Sequence, residues 1–271
     1  DIIYDGIILN ITKSINTLDY LSKEEKHQLL VEFNDTDVDY RKDKTIIELF
    51  EEQVEKTPSN IAVKSLSQSL SYTELNERSI RLAGILQSKY AIEVSDKIAV
   101  RIPKSTDYIA VLLGVLKCGG AYIPIDSSYP DDRVEYILKD SGAKYFISDE
   151  ACNFDFPFIN VIELTSNLAV DDLFTAPKYN ISQSFYAIYT SGSTGQPKGV
   201  EVLNESFLNL INWYTKELSI DSSEKVLFLA SSGFDLAQKN IFSTLLSGAE
   251  LFLDEALVED FTLCLKTINS E

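Results

Sequence analysis

Histidine and cysteine, which often carry catalysis or bind metals, are scarce in this sequence. The 271 residues include one histidine and three cysteines. His27 lies among charged residues, which is typical of a solvated side chain, and with no second histidine we expect neither a histidine-based triad nor a histidine-rich metal site. Cys118, Cys152 and Cys264 lack the spacing of metal or redox motifs, which indicates buried or free thiols in a reducing cytoplasm.

Basic residues and long apolar runs are also in short supply. Lys and Arg number 24 against 42 Asp and Glu, which gives a formal net charge of −18. This acidity argues against a protein that coats nucleic acid, although a local pocket can still bind a nucleotide. No apolar run approaches the roughly 18 to 20 residues that cross a bilayer, and the start DIIYDGIILN lacks a signal-peptide leader. We therefore expect a cytoplasmic protein that binds neither membranes nor nucleic acid.

Amphipathic helical segments alternate with short apolar strands from about Thr45 onward. The segment YTELNERSIRLAGILQSKY shows the helical period, and the helical segment DDRVEYILKDS is followed by Gly142, a typical end signal. Four residues of the first segment form its apolar stripe: Tyr72, Leu75, Leu82 and Leu86. This alternation predicts an α/β protein with mixed, largely parallel sheets covered by helices.

Two stretches depart from this alternation. Residues 1–44 contain a short helical segment, LSKEEKHQLL, and a polar run, EFNDTDVDYRKDK, so they are predicted to form a connector. Residues 149–183 lack clear periodicity and are predicted to form a long loop.

The run TSGSTGQPKG, residues 190–199, directly follows the apolar strand SFYAIY. Its glycines let the backbone approach an anion, its hydroxyls are hydrogen-bond donors, and its lysine adds a positive charge. It matches neither the Walker A pattern G-x-x-x-x-G-K-[ST] nor the dinucleotide pattern G-x-G-x-x-G. The run therefore predicts a polyphosphate-binding loop, and a flexible Gly/Ser surface turn is the alternative.

The segment YTSGSTGQPKGV resembles the phosphate-loop signature of the acyl-adenylate-forming enzymes. Three further segments are similar to core motifs of one branch, the adenylation domains of nonribosomal peptide synthetases: LSYTELNERSIRLAGIL, VLLGVLKCGGAYIPIDSSYP and FDLAQKNIFSTLLSGAEL. The segment LSKEEKHQLLVEFNDT resembles the linker that joins a condensation domain to an adenylation domain. The likeness covers nearly the whole chain.

This resemblance implies a domain organisation and an activity. Residues 1–44 would be the linker from an upstream condensation domain, and residues 45–271 the N-terminal part of the large adenylate-forming domain. The implied reaction uses ATP and Mg²⁺ to convert an amino acid into an aminoacyl-adenylate and pyrophosphate. The acyl group would then pass to the phosphopantetheine thiol of a downstream carrier domain. A small accessory activator protein is a further candidate partner.

The resemblance also assigns candidate site residues. The ATP phosphates would be bound by Thr190, Ser191, Gly192, Ser193, Thr194, Gly195 and Lys198, and the amino acid by Asp235, Leu236 and Lys239. Asp235 would pair with the substrate ammonium. Lys239, one helical turn further on, would meet an anionic or amide side chain, which suggests aspartate or asparagine as substrate. The alternative is that Asp235 and Lys239 only form an i,i+4 salt bridge.

Some family features are missing from this sequence. Many relatives have histidine where this chain has Asn204. The family's adenine-binding and ribose-binding motifs, its late catalytic lysine and its C-terminal lid are not found in the 271 residues, so we expect this polypeptide alone to show little or no activity. Two other functions stay open: an acyl-CoA or aryl-acid ligase of the same superfamily, and a non-catalytic docking or scaffold segment.

Overall fold

Two units of the chain are separated between Tyr40 and Arg41. The computed structural model describes residue 14 and residues 21–166, 174–190 and 196–270. In the first unit, helix α1 spans Lys23–Leu30 and begins with a capping box between Ser22 and Glu25. A short 3₁₀ helix, Glu32–Asn34, follows it. None of the described side chains of α1 is buried, and most residues of the helix are charged or polar.

The second unit contains the remaining helices and all strands of the described residues. Its helices are α2 (Ile46–Lys56), α3 (Tyr72–Tyr90), α4 (Thr106–Lys117), α5 (Asp131–Ser141), α6 (Val161–Ser166), α7 (Asn204–Glu217), α8 (Asp235–Ser247), α9 (Glu255–Glu259) and α10 (Phe261–Ser270). Its strands are β1 (Ile61–Lys64), β2 (Ser69–Ser71), β3 (Lys97–Arg101), β4 (Ala121–Pro124), β5 (Tyr145–Ser148), β6 (Phe158–Asn160), β7 (Ser184–Thr190), β8 (Lys198–Leu203), β9 (Lys225–Leu227) and β10 (Glu250–Phe252).

The larger sheet has, within the described residues, the strand order β6-β5-β3-β4-β7-β8. Every neighbouring pair is parallel except the last, in which β8 returns antiparallel to β7. The central strands are apolar and almost fully buried, as expected for a parallel sheet with helices on its faces. The expected α/β class with mixed, largely parallel sheets is confirmed.

The smaller sheet has, among the residues described, the order β2-β1-β10-β9. Strands β1, β10 and β9 are parallel, and β2 is antiparallel to β1. Strands β9 and β10 flank helix α8 in the chain, so α8 is the crossover between these two parallel strands.

Aromatic side chains hold helices α7 and α8 against the larger sheet. The ring of Phe185 in β7 lies 5.0 Å from that of Phe207 in α7 and 4.8 Å from that of Phe242 in α8. Tyr122 in β4 completes the cluster, with its ring 5.9 Å from Phe185. All four side chains are fully buried. This packing places the middle of α8 beside strands β4 and β7.

Several local sequence predictions are confirmed. The four residues of the predicted stripe in α3 are all fully buried. Helix α5 ends at Gly142, whose φ of 67° lies in the left-handed region that glycine adopts without strain. The prediction that residues 149–183 form a long loop is wrong, since β6 and α6 lie within this range. These elements are too short to show a period, and they are held by buried contacts at Ile159, Val161 and Leu164.

The buried tyrosines predict sensitivity to alkaline pH. Burial raises the pKa of Tyr72, Tyr108, Tyr122 and Tyr186 above the ordinary value of 10.0. Above about pH 10 the unfolded chain loses these protons while the folded chain keeps them, so the free energy of unfolding falls as pH rises. Burial lowers the pKa of Lys117, which acts in the opposite direction, but it is one group against four.

Urea denaturation between about pH 8 and pH 11 measures this effect. We expect the midpoint to fall steeply above about pH 10, and the fall to be smaller in Tyr72→Phe. That variant will be less stable at pH 8, because the Tyr72 hydroxyl donates hydrogen bonds to the carbonyl oxygens of Thr244 and Ala249 at 3.2 and 2.8 Å. A midpoint that stays constant up to pH 11 would contradict the prediction.

Candidate functional site

The carboxyl ends of the parallel strands form one edge of the larger sheet. Arg101 ends β3, Ser148 ends β5 and Thr190 ends β7. Lys198 begins the antiparallel strand β8 and is paired with Thr190, so it lies at the same edge. In open α/β sheets ligands bind at this edge. The sheet therefore places the predicted phosphate loop where a ligand is expected.

The predicted phosphate-binding residues are only partly described. Thr190 and Lys198 lie opposite each other where the β7–β8 hairpin opens, and both side chains are exposed. The other five residues of the prediction lie outside the described residues: Ser191, Gly192, Ser193, Thr194 and Gly195. Their assigned role remains a prediction.

Side chains of helix α5 form hydrogen bonds with residues on both sides of the loop. The Tyr136 hydroxyl donates a hydrogen bond to the carbonyl oxygen of Pro197 at 3.1 Å, and the Tyr189 hydroxyl donates to Asp140 Oδ2 at 2.8 Å. Gly199 lies opposite Tyr189 in the hairpin, where a Cβ atom would be only 2.8 Å from the Tyr189 ring. Glycine is required there because the Tyr189 ring, held by Asp140, occupies that space.

The predicted substrate-binding residues lie together in the first two turns of α8. Asp235 is the first residue of the helix and is exposed, as is Leu236. Lys239 Nζ lies 3.2 Å from Asp235 Oδ2 and 5.9 Å from the centre of the Tyr214 ring in α7. The i,i+4 salt bridge considered as the alternative is therefore formed. An ion pair of this kind can also offer one charge of each sign to a zwitterionic ligand.

The start of α8 lies next to the strand that leads into the loop. Tyr186 in β7 is four residues before Thr190, and burial followed by the negative charge of Asp235 raises its pKa. The Tyr122 hydroxyl donates a hydrogen bond to Gln238 in α8, and the Tyr122 ring lies 5.8 Å from that of Tyr186, so the start of α8 lies near β7. Thr190, which begins the predicted phosphate loop, and Asp235, which begins α8, are 45 positions apart in the chain and are thus brought to one side of the sheet.

A cavity of about 610 Å³ lies at the same edge, between the two sheets. Charged residues contribute much of its lining: Arg101, Lys104, Asp126, Asp149, Glu150 and Glu255. Lys104 is buried, and its Nζ lies 3.7 Å from Glu255 Oε2. No binding or catalytic role was predicted for these residues from the sequence. A signal was present for Asp126, since it is a polar residue shortly after the apolar strand AYIPI.

Asp126 is held in its ionised form by its surroundings. Burial opposes ionisation, but hydrogen bonds from Ser128 and Ser231 outweigh it and lower the pKa of Asp126. Its carboxylate accepts a bond from the Ser128 hydroxyl at 2.6 Å and one from the backbone N–H of Ser232 at 3.1 Å. Asp126 therefore connects the end of β4 to the segment that precedes α8.

Asn204 is the first residue of α7. Its side chain Nδ2 donates to the carbonyl oxygen of Gln183 at 3.2 Å, and its backbone N–H donates to the same oxygen at 3.0 Å. The residue is buried. In this chain Asn204 fixes the end of β8 to the start of β7.

Two general findings complete the description of the site. In the part of the chain that the structure describes, no group of three or more His, Cys, Asp or Glu side chains is arranged to hold a metal ion. None of the described helices is both long enough and apolar enough to span a membrane.

Known proteins are similar to this chain in both sequence and fold. The family model described as AMP-binding enzyme matches residues 50–271. The chain belongs to the AMP-binding enzyme family. Among its relatives is bacitracin synthase 3 of Bacillus licheniformis, which is 40% identical over 253 residues. That alignment covers 92% of this chain but only 4% of the synthase, so the chain spans a small part of the relative's length.

Solved structures show where this AMP-binding chain fits within the family fold. The N-terminal subdomain of Klebsiella oxytoca NpsA, in complex with 3-hydroxybenzoyl-AMSN, superimposes with a TM-score of 0.77 at 24% identity. The match covers 84% of this chain and 58% of that one. NpsA-ThdA, an artificially fused adenylation-PCP di-domain from the same organism, gives a TM-score of 0.78 at 24% identity, covering 84% and 46%. The fold is that of the N-terminal subdomain of an adenylation domain.

Proposed function

We propose that this chain is part of an adenylation domain that activates an amino acid with ATP for nonribosomal peptide synthesis. One observation carries the proposal. Asp235 begins α8 near strand β7, and β7 ends at the sheet edge with Thr190, the first residue of the predicted phosphate loop. A group that can bind an ammonium and a loop that can bind phosphates would thus lie close together. Family membership of residues 50–271 supports the same reaction class.

The proposed chemistry needs these two features. The amino-acid carboxylate attacks the α-phosphorus of ATP, a new P–O bond forms, the α–β bridging bond breaks and pyrophosphate leaves. The loop from Thr190 to Lys198 would bind the departing phosphates and spread their charge, which lowers the barrier. Mg²⁺ prefers oxygen ligands that include substrate phosphates, so we propose that it enters bound to ATP.

The ion pair at the start of α8 suggests which amino acid is bound. Asp235 would exchange its bond with Lys239 for the substrate ammonium, and Lys239 would then bind the substrate side chain. An aspartate substrate would satisfy both partners with charges, and asparagine would satisfy Lys239 through its amide oxygen. Aspartate or asparagine is therefore the proposed substrate, with Leu236 also contributing to the pocket.

The proposed partners follow from the same assignment. The aminoacyl group would be transferred from the adenylate to the thiol of a phosphopantetheine carried by a downstream carrier domain, with AMP as leaving group. The adenylation-PCP fusion with the same fold supports such a partner. An upstream condensation domain, joined through residues 1–44, and a small accessory activator protein are proposed from the sequence resemblance alone.

An aryl-acid ligase is the second candidate, because the NpsA subdomain with the same fold was solved with a hydroxybenzoyl ligand. An aryl acid has no ammonium for Asp235 to bind. The two candidates therefore differ in whether activation requires an α-amino group.

Pyrophosphate exchange into ATP, measured with the full-length protein that carries this sequence, tests the proposal. Each proteinogenic amino acid and a set of aryl acids would be assayed separately. We expect the largest exchange with aspartate or asparagine. Preference for an apolar amino acid would overturn the substrate assignment, preference for an aryl acid would support the second candidate, and absence of ATP binding would favour a non-catalytic scaffold.

A further inference from the structure

Gln238 is a fully buried polar side chain in the first turns of α8, three residues after Asp235. It faces the protein interior, whereas Asp235 is exposed. A buried amide must have its hydrogen bonds satisfied within the protein, because burial removes the water that would otherwise bond to it. The partners of Gln238 therefore indicate what it does.

Both polar atoms of the Gln238 amide have partners in other segments or at the helix start. Its Nε2 donates to the carbonyl oxygen of Ser232 at 2.9 Å and to that of Phe234 at 3.4 Å. Its Oε1 accepts a hydrogen bond from the Tyr122 hydroxyl at 2.5 Å. Tyr122 is fully buried in β4 within the aromatic cluster described above. Gln238 thus connects the central sheet to the backbone just before α8.

The same backbone segment is held from its other side by Asp126. The carboxylate accepts hydrogen bonds from the Ser231 hydroxyl and from the Ser232 N–H. Phe234 precedes the helix and makes no side-chain capping bond. Residues 231–234 are therefore fixed by two buried or half-buried side chains, and Asp235 immediately follows them.

We propose that Gln238 is a positioning residue that fixes the direction in which Asp235 presents its carboxylate to the substrate ammonium. The inference rests on the proposed function, since it requires an ammonium to be recognised. Gln238 is fully buried and its amide is bonded to protein groups, so its effect on the ammonium would be indirect. It acts through the Ser232 and Phe234 carbonyl oxygens, which it holds at a set distance from Tyr122.

Pyrophosphate exchange by Gln238→Leu in the full-length protein tests the inference. Leucine is similar in size but makes none of the three hydrogen bonds. A small displacement of a binding group costs a large part of its interaction, so we expect KM for the amino acid to rise about tenfold or more. KM for MgATP stays within about twofold, because α5 separately binds the residues that flank the phosphate loop.

Two further variants separate positioning from stability. Tyr122→Phe keeps the ring and removes only the hydroxyl bound to Gln238. We expect KM for the amino acid to rise in this variant too, but by only about threefold. Gln53→Leu is the matched control: it is a buried glutamine in α2 whose Nε2 lies near Gly248 at the other end of α8. It will lower thermal stability but leave both KM values unchanged.

The outcomes are distinguishable. Unchanged amino-acid KM in a folded Gln238→Leu overturns the inference, and if that variant fails to fold, unchanged KM in Tyr122→Phe overturns it. Equal rises in both KM values would also count against it, because a general disturbance would explain them. If the unmodified protein shows no amino-acid-dependent exchange, the proposed function fails first, and this inference fails with it.

Discussion

Replacing Asp235 by asparagine is expected to lower kcat/KM for the amino acid by about 100-fold in pyrophosphate exchange by the full-length protein. Asparagine has nearly the same size but no charge, so it cannot form the charge-assisted bond proposed with the substrate ammonium. The loss will be mainly in KM for the amino acid, while KM for MgATP stays unchanged.

The Glu135–Lys139 pair in α5 supplies a matched control. It has the same i,i+4 spacing as the Asp235–Lys239 pair, with a Lys139 Nζ to Glu135 Oε1 distance of 2.6 Å. Glu135→Gln will remove one such ion pair, which contributes only about 0.2 to 0.5 kcal/mol to a helix, and will leave exchange unchanged. A kcat/KM of Asp235→Asn within threefold of the unmodified protein would show that Asp235 only stabilises its helix.

Replacing Lys239 by leucine is expected to change which amino acid is activated. The proposed substrate carboxylate would lose its cation, so kcat/KM for aspartate falls by about 100-fold, whereas that for asparagine falls by about tenfold because its amide is neutral. Exchange with apolar amino acids such as leucine will rise, since the pocket wall becomes apolar. Exchange measured with these three amino acids tests the prediction.

Lys139→Leu is the control for this substitution, because it removes the lysine of the Glu135–Lys139 pair, which has the same i,i+4 spacing. It will leave the order of preferred amino acids unchanged. The side chain of Lys239 is 18% exposed, whereas that of Lys139 is 69% exposed. A Lys239→Leu variant that keeps the substrate order of the unmodified protein would show that Lys239 serves the salt bridge and the Tyr214 contact alone.

Both predictions concern a helix that the sequence placed well. The segment after Phe234 predicts a helix that begins near Asp235, and α8 begins at that residue. The four-residue interval from Asp235 to Lys239 predicts that the two side chains share a face, which the ion pair confirms. Such local features are predictable because the helical period relates only residues within a turn or two.

The role of Gln238 could not be predicted in the same way. In the sequence it is one polar residue among others in an amphipathic segment, and such a residue is normally assigned to the solvent-facing side. In the structure it is fully buried, and its amide oxygen accepts a hydrogen bond from Tyr122, which is 116 residues away in the chain. The hydrogen bond from the Ser231 hydroxyl to Asp126 joins residues that are 105 positions apart. No local period contains information on partners at such separations.

By itself, the sequence determined the α/β class, the apolar stripe of α3, the glycine that ends α5 and the composition of the loop after β7. Each depends on the chemistry of neighbouring residues, whose spacing is visible in one dimension. The tertiary structure decided which of them meet. Parallel strands brought Thr190, Asp126 and Arg101 to one edge, and aromatic packing placed α8 beside β7. Those arrangements depend on strand order, which is set by the burial of whole faces and not by any single segment.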